Sequence, residues 1–287
     1  MFSLSYLFRP VSILVHNPSM VSHLRHGSTS AGEFLERSRK ERWEASPVPI
    51  RHVHGFNICL QKADVEGVSP SIGVTGTYEP HVTQLFRKLL RPGMTVLDIG
   101  ANIGWYTLTA ASKIGPEGHV LAFEPEPSSF SLLSKSIKLN LFKNALPVAE
   151  AVSDTIEPQT LHLSRTNLGA HSMVSRVGGE SVTVPSTTLD KVLSRYEIQH
   201  VDLLKIDVEG AEPRAIMGGP ECLRKTDHVI MEWNSKEWEN RPDALKMISY
   251  GFTVHEIVKS PFLIKRRSWD SLRNVPRTNL YLRRILG

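Results

Sequence analysis

The sequence predicts an α/β fold: a seven-stranded, mostly parallel sheet with helices on both faces and a small N-terminal cap. Three observations carry that prediction. From Met94 onward, short apolar runs alternate with stretches of helical periodicity, the pattern of βαβ units with right-handed crossovers. The run Val96-Leu97-Asp98-Ile99-Gly100-Ala101-Asn102-Ile103-Gly104 ends a buried strand in an acid and turns through glycines into a helix, as nucleotide-binding turns do. A second apolar run, His119 to Phe123, closes in another acid, Glu124.

The elements follow in chain order. Ser30-x-x-Glu33 is a capping-box pattern, and the charged stretch to Glu44 reads as a short surface helix stopped by Pro47 and Pro49. Residues 50–64 read as a short strand pair around His54-Gly55. Pro80 suits the first turn of a helix running through Leu90, with Val82, Leu85 and Leu89 on one face. Thr95 to Ile99 is a strand, Trp105 to Lys113 a helix, His119 to Phe123 a strand, Ser128 to Asn140 a helix and Pro147 to Val152 a third strand. Gln159 to Ser164 and Ser181 to Val184 alternate and read as a strand pair around a polar loop, Thr166 to Gly179. Helices are expected at Thr188 to Tyr196, Glu212 to Gly218 and Asp243 to Tyr250. The remaining sheet strands are Val201 to Asp207, Val229 to Trp233, Phe252 to Ile257 and Asn279 to Leu282, the last two separated by a basic loop. The division expected is a leader and cap over residues 1–74 and a main domain over 75–287.

Composition narrows the class. A hydrophobic content of 40% suits a globular core. No apolar run approaches the roughly 20 residues that span a bilayer. Cys59 and Cys222 are too few for a disulfide framework, and a reducing compartment is the simpler reading. The formal net charge is +5, and from Lys259 onward eight Lys/Arg face one acid, Asp270. Such a tail draws in acidic substrates, membrane surfaces or nucleic acid, or it is a solvated face. Residues 1–32 hold Arg9 and Arg25 and no acid, which is weakly like a transit peptide; a flexible leader reads equally well. A cytoplasmic location is expected, with a mitochondrial one as the alternative.

The turn selects among nucleotide cofactors. A dinucleotide site wants Gly-x-Gly-x-x-Gly with a pyrophosphate on the helix N-terminus. Here Asn102 replaces the second glycine, and Asp98 would repel a pyrophosphate. A carboxylate there suits a cationic ligand with an amino group, as in S-adenosylmethionine. Acid, Gly, three residues, Gly, then an acid ending the next strand is the pattern of the class I methyltransferase fold, a Rossmann-like sheet.

Several further motifs resemble the FkbM-type methyltransferase family. They are Tyr78-Glu79-Pro80, Asp98 to Gly104 with Tyr106-Thr107, Phe123-Glu124-Pro125, Ala151-Val152-Ser153-Asp154, Leu204-Lys205-Ile206-Asp207-Val208-Glu209-Gly210-Ala211-Glu212, Gly251-Phe252 and Thr278-Asn279-Leu280. The resemblance covers about residues 75–284. It implies S-adenosylmethionine as cofactor and O-methylation of a small hydroxylated acceptor (a natural product, sugar or lipid). It implies a reaction class and not a substrate.

Roles follow from position. Asp98 and Gly100 face the methionine half of the cofactor, within the turn that Gly104 completes, and Asn102 holds the amino-acid carboxylate or the turn itself. Glu124 takes the ribose hydroxyls. Ser153 and Asp154 lie where the adenine amino group would be, with Asp154 as a turn former the alternative. Tyr78 and Glu79 close over the cofactor, or simply start a helix. Lys205 and Asp207 share a face by the two-residue strand period and are placed to pair. Candidate catalytic bases are Asp207, Glu209 and His171; the last sits in the polar loop, where a surface role is the alternative. Glu212 reads as a helix N-terminal acid. A Mg²⁺ site from Asp207, Glu232 and Asn234 is conceivable, but the preferred reading has no metal. Nucleic acid is disfavoured as a substrate: there is no Asn/Asp-Pro-Pro-aromatic motif and no basic stretch interleaved with aromatics. A non-catalytic cofactor-binding scaffold docking an acidic partner is the competing reading. An NAD-dependent oxidoreductase is weaker, since Asn102 stands where that fingerprint needs glycine.

Overall fold

A computed structural model describes residues 31–45, 49–174, 179–259 and 263–285. The leader, the Ser30 cap and part of the polar loop therefore lie outside the described residues.

Helix α1 (Ala31–Glu44) does more than cover surface. Its Trp43 is 1% exposed and presses on Gly73 of α2 (Val68–Thr75), where a Cβ would stand 2.3 Å from the indole ring. Strands β1 (Ile50–Val53) and β2 (Phe56–Cys59) form an antiparallel hairpin. Its two-residue turn places His54 and Gly55 at φ of 52° and 90°, the left-handed pair that matches strand twist. Phe56, Ile58 and Ile72 enter the same core as Val82, Leu85 and Phe86 of α3 (Pro80–Leu89).

The alternation then runs β3 (Thr95–Ile99), α4 (Trp105–Ile114), β4 (His119–Phe123), α5 (Pro127–Leu139) and β5 (Ala145–Val148). After β6 (Ala151–Val152), β7 (Gln159–Leu163), β8 (Glu180–Val184) and β9 (Ser186–Thr187), it resumes with α6 (Leu189–Arg195) and β10 (Val201–Ile206). Helices α7 (Glu212–Met217) and α8 (Pro220–Arg224) lead to β11 (Thr226–Asn234). Helices α9 (Ser235–Glu239) and α10 (Pro242–Gly251), strands β12 (Phe252–Ile257) and β13 (Ile264–Arg267), a 3₁₀ turn (Asp270–Asn274) and β14 (Arg277–Arg284) complete the order.

The sheet order is β13-β12-β14-β11-β10-β3-β4-β5, with the five strands from β11 to β5 parallel and the other three antiparallel. One apolar core lies under α3, α4 and α5, the other under α6, α7 and α10. The chain leaves β3 toward β4 and leaves β10 toward β11. That reversal opens a crevice at the carboxyl ends of β3 and β10, the place where open parallel sheets hold ligands.

Two expectations need correction. The sheet has eight strands, not seven. The eighth, β13, lies in the stretch read as a basic loop; its Lys265, Arg266 and Arg267 hide a strand pattern while protecting a sheet edge. The expected third strand, Pro147 to Val152, is two pieces: β5 joins the sheet, whereas β6 leaves it to pair with β9. No helix of the described residues is long and apolar enough to cross a membrane.

Candidate functional site

At the crevice, Gly100 has φ of 81°, and a Cβ there would stand 1.8 Å from the carbonyl oxygen of Asp207. Only hydrogen fits where the turn after β3 meets the end of β10. The amides of Gly100 and Ala101 donate to the carbonyl of Phe123 at 3.0 and 2.9 Å, tying the turn to β4. Asn102 is also left-handed, φ 51°, and its amide donates to Glu124 Oε2 at 2.8 Å. Its Oδ1 accepts from the Ile103 amide and its Nδ2 donates to the carbonyl of Leu168. Gly104, φ 97°, precedes α4 against Leu133.

Gly100, Ala101, Asn102, Phe123 and Glu124 wall a cleft of about 810 Å³, its open mouth included. Tyr78, Gly100, Asn102, Glu124, His171, Asp207 and Glu209, seven of the residues singled out from sequence, line it. Five do not. Asp98 is 1% exposed beneath the turn and accepts from Thr107 Oγ1 at 2.6 Å. Gly104 shapes the helix start. Glu79 accepts from Tyr106 Oη at 2.7 Å and from Asn279 Nδ2 at 3.0 Å. Ser153 is fully buried and donates to Asp154, which is held by Arg214 Nε at 2.9 Å.

The cleft has residues the sequence reading passed over. Glu150, Leu161, Leu168 and Met173 line its far end. Glu150 had a readable signal: it is the first acid after the third parallel strand, the position that Glu124 occupies after the second. Leu161 and Met173 come from the β7–β8 excursion, which carries no such signal.

The opposite end is rich in charge. Lys205 is 1% exposed, and its Nζ lies 2.7 Å from Asp207 Oδ2 and 4.6 Å from the Tyr106 ring centre. The pairing expected from strand period is present. Burial alone would lower the lysine pKa, but the charges of Asp207, Glu79 and Asp98 hold it above its ordinary value. Glu209 is left-handed, φ 49°, and pairs with Arg277 Nη2 at 3.2 Å. Arg277 also bonds Glu232, at 2.5 Å through Nε. Burial, then Asp207 and Glu232, push Glu209 up to about 8. Glu212 accepts from the amides of Val208 at 2.9 Å and Gly210 at 3.1 Å, so it closes the loop as well as starting α7.

Oxygens of Asp207, Glu209 and Glu232 lie within 4.8 Å of one another. Asn234, the third ligand considered from sequence, instead caps α9 through Lys236 N. Arg277 reaches two of the three carboxylates and supplies the positive charge there.

Elsewhere, Glu124 accepts from the amides of Asn102 and Glu126, yet complete burial raises it to about 7. His171 Nδ1 accepts from the Ser164 amide at 3.0 Å, which leaves the proton of the neutral ring on Nε2. Burial lowers the His171 pKa and favours that neutral form.

A family model described as "Methyltransferase FkbM domain" matches residues 98–254. Among curated proteins, the chain is 26% identical over 196 residues to the hexuronic acid methyltransferase AglP of Haloferax volcanii, covering 67% of this chain and 78% of that protein. It is 25% identical over 171 residues to the 2-O-methyltransferase NoeI of Sinorhizobium fredii, covering 54% and 69%. Among solved structures, an S-adenosylmethionine-dependent O-methyltransferase of Thermotoga maritima aligns over 83% of this chain and 86% of its own, at 13% identity and a TM-score of 0.44.

Proposed function

The chain belongs to the FkbM methyltransferase family, an S-adenosylmethionine-dependent family, and on that premise we propose that it methylates a hydroxyl oxygen of a small-molecule acceptor at the Asp207 end of the cleft. The observation that carries this reading is Asp207 itself. It stands at the carboxyl end of β10, in contact range of the glycine turn, with a buried lysine fixing its carboxylate.

The cofactor fits the residues present. Gly100 lets the turn pass tight against the end of β10 and line the cleft, Asn102 turns its backbone beside it, and Glu124 offers carboxylate oxygens to ribose hydroxyls. When bound, S-adenosylmethionine supplies an electrophilic methyl group. The protein's share is to hold the acceptor oxygen in line and to receive its proton. Asp207 is the base: Lys205 Nζ, 2.7 Å from Oδ2, orients one oxygen and leaves the other for the acceptor hydroxyl. Glu209, pushed to about 8, is largely protonated at neutral pH and serves as a hydrogen-bond partner of the acceptor. His171 is a donor through Nε2–H; its acceptor nitrogen is already taken by Ser164, so it is not the base. By their names AglP is a hexuronic acid methyltransferase and NoeI a 2-O-methyltransferase, and the first of these makes a sugar hydroxyl the first acceptor class to test.

The test is calorimetric titration with S-adenosylmethionine followed by transfer of labelled methyl to a panel of monosaccharides and glycosides. Wild type and Asp207→Asn should bind the cofactor alike, Glu124→Ala should bind it weakly, and Asp207→Asn should transfer methyl about 10²–10³-fold more slowly than wild type. Absence of cofactor binding, or transfer by Asp207→Asn at the wild-type rate, would refute the assignment.

A further inference from the structure

We propose that the groove between α3 and α4 seats a phosphate group of the acceptor, a second anchor beside the methyl-transfer site. The acceptor half of this statement rests on the function proposed above.

Arg87, Lys88 and Arg91 follow Gln84 at helical spacing on and just beyond α3, and Lys113 faces them from α4. They line a groove of about 860 Å³, its open mouth included, with His54 at its edge. No carboxylate lines it among the described residues, and none of these four cations forms an ion pair there. Arg87 is half-buried, and its Nη1 has no hydrogen-bond partner. Lys113 donates to the Arg87 carbonyl and Arg91 to those of Lys88 and Leu90, but no negative charge meets the four cations in the groove, and a multiply charged anion would supply it. Guanidinium and ammonium groups together suit phosphate oxygens.

The position gives the groove its use. Thr77 and Pro80 line it, and between them in sequence Tyr78 lines the cleft and Glu79 binds Tyr106 and Asn279. Trp105 also lines the cleft, and its ring meets that of His54 edge-on, centroids 5.4 Å apart. Groove and cleft thus flank the same Thr77–Pro80 segment. An acceptor whose phosphate lies in the groove reaches the cleft across that segment. No Phe, Tyr or Trp lines the groove among the described residues, so it lacks the row of aromatic faces on which successive bases of single-stranded nucleic acid stack. None of the exposed large hydrophobic residues, such as Leu141 and Tyr250, lines it, which argues against a membrane surface.

The probe is inorganic pyrophosphate, titrated into the full-length protein at low ionic strength. The groove variant is Lys88→Glu/Arg91→Glu/Lys113→Glu; the charge-matched control is Lys143→Glu/Lys246→Glu/Lys265→Glu, all exposed and outside the groove. Pyrophosphate should bind wild type and the control within about twofold of each other, and the groove variant about tenfold or more weakly. All three should bind S-adenosylmethionine equally. No binding of pyrophosphate to wild type, or equal weakening by both variants, overturns the groove assignment. So does binding to phosphatidylglycerol vesicles with none to pyrophosphate. Pyrophosphate binding without any S-adenosylmethionine binding would instead sink the methyl-transfer reading, and the acceptor assignment with it.

Discussion

Replacing Lys205 with methionine keeps side-chain length and removes one charge. In the wild-type protein that charge is 1% exposed, 2.7 Å from Asp207 and close enough to Glu79 and Asp98 to be held protonated by all three. The variant leaves these carboxylates without their cation. Breaking a buried ion pair from one side costs about 3–5 kcal/mol. Asp207 keeps 22% of its side chain exposed, so water takes up part of the loss and the lower end, about 3 kcal/mol, is expected. For a domain of this size that is a fall in Tm of about 6–12 °C. The sign with pH is fixed. The folded pKa of Lys205 lies above its ordinary 10.5, so its contribution is complete below that value and fades as pH rises through the folded value. The assay is thermal denaturation of wild type, Lys205→Met and Lys205→Met/Asp207→Asn at neutral and high pH. The double variant removes the stranded charge and should recover more than half of the loss. A single variant melting within about 2 °C of wild type, or a double variant no better than the single, would refute the reasoning.

Other expectations are more local. Gly100→Ala forces a Cβ to 1.8 Å from the Asp207 carbonyl, so cofactor affinity should fall about 100-fold or more, read by calorimetry; near-normal binding would show that the turn yields more easily than its packing implies. Glu124 has a folded pKa of about 7 against an ordinary 4.5, so wild-type stability should fall as pH rises through that window. Glu124→Gln should therefore lose that pH dependence of Tm, while its one acceptor oxygen serves only one of the two amides, and it should bind S-adenosylmethionine about tenfold more weakly; a Tm that still falls across the window would contradict it. Asp207→Asn should lower kcat by about 10²–10³-fold, whereas His171→Gln should change it less than about tenfold without moving the pH profile. Matching losses in steady-state rates would return His171 to the role of base.

Most of the parallel half of the sheet was legible because buried strands and helices carry different periods and each turn carries its own punctuation. The site was legible where backbone sterics demand one residue type, as at Gly100, or where strand period dictates a face, as at Lys205 and Asp207. Asp98 shows the limit. Its place at a strand end suggested cofactor contact, but the side chain points beneath the turn, where Thr107 occupies it; which side of a tight turn a carboxylate takes depends on packing that sequence spacing does not encode. Ser153 and Asp154 lie outside the cleft lining for a related reason. The third strand breaks after Val148, so the residues at the sheet edge are Glu150 and its neighbours. β13 stayed hidden because a four-residue edge strand with charges on both faces has no apolar period to read.

The tryptophan of α1 has a reach beyond its slot on Gly73. Its indole Nε1 donates to the Asp64 carbonyl at 2.8 Å, and the Asp64 carboxylate accepts from the amides of Gly67, Ser69 and Leu168. Leu168 is the residue whose carbonyl Asn102 holds, and the Asn102 amide in turn holds Glu124. A continuous chain of hydrogen bonds therefore joins α1 to Glu124, the carboxylate proposed to take the ribose hydroxyls. Linkage makes that coupling reciprocal: whatever free energy cofactor binding adds to the docking of α1, docking adds to cofactor binding. Withdrawing Trp43 from the Asp64 carbonyl is thus expected to weaken cofactor binding, although Trp43 does not itself line the cleft.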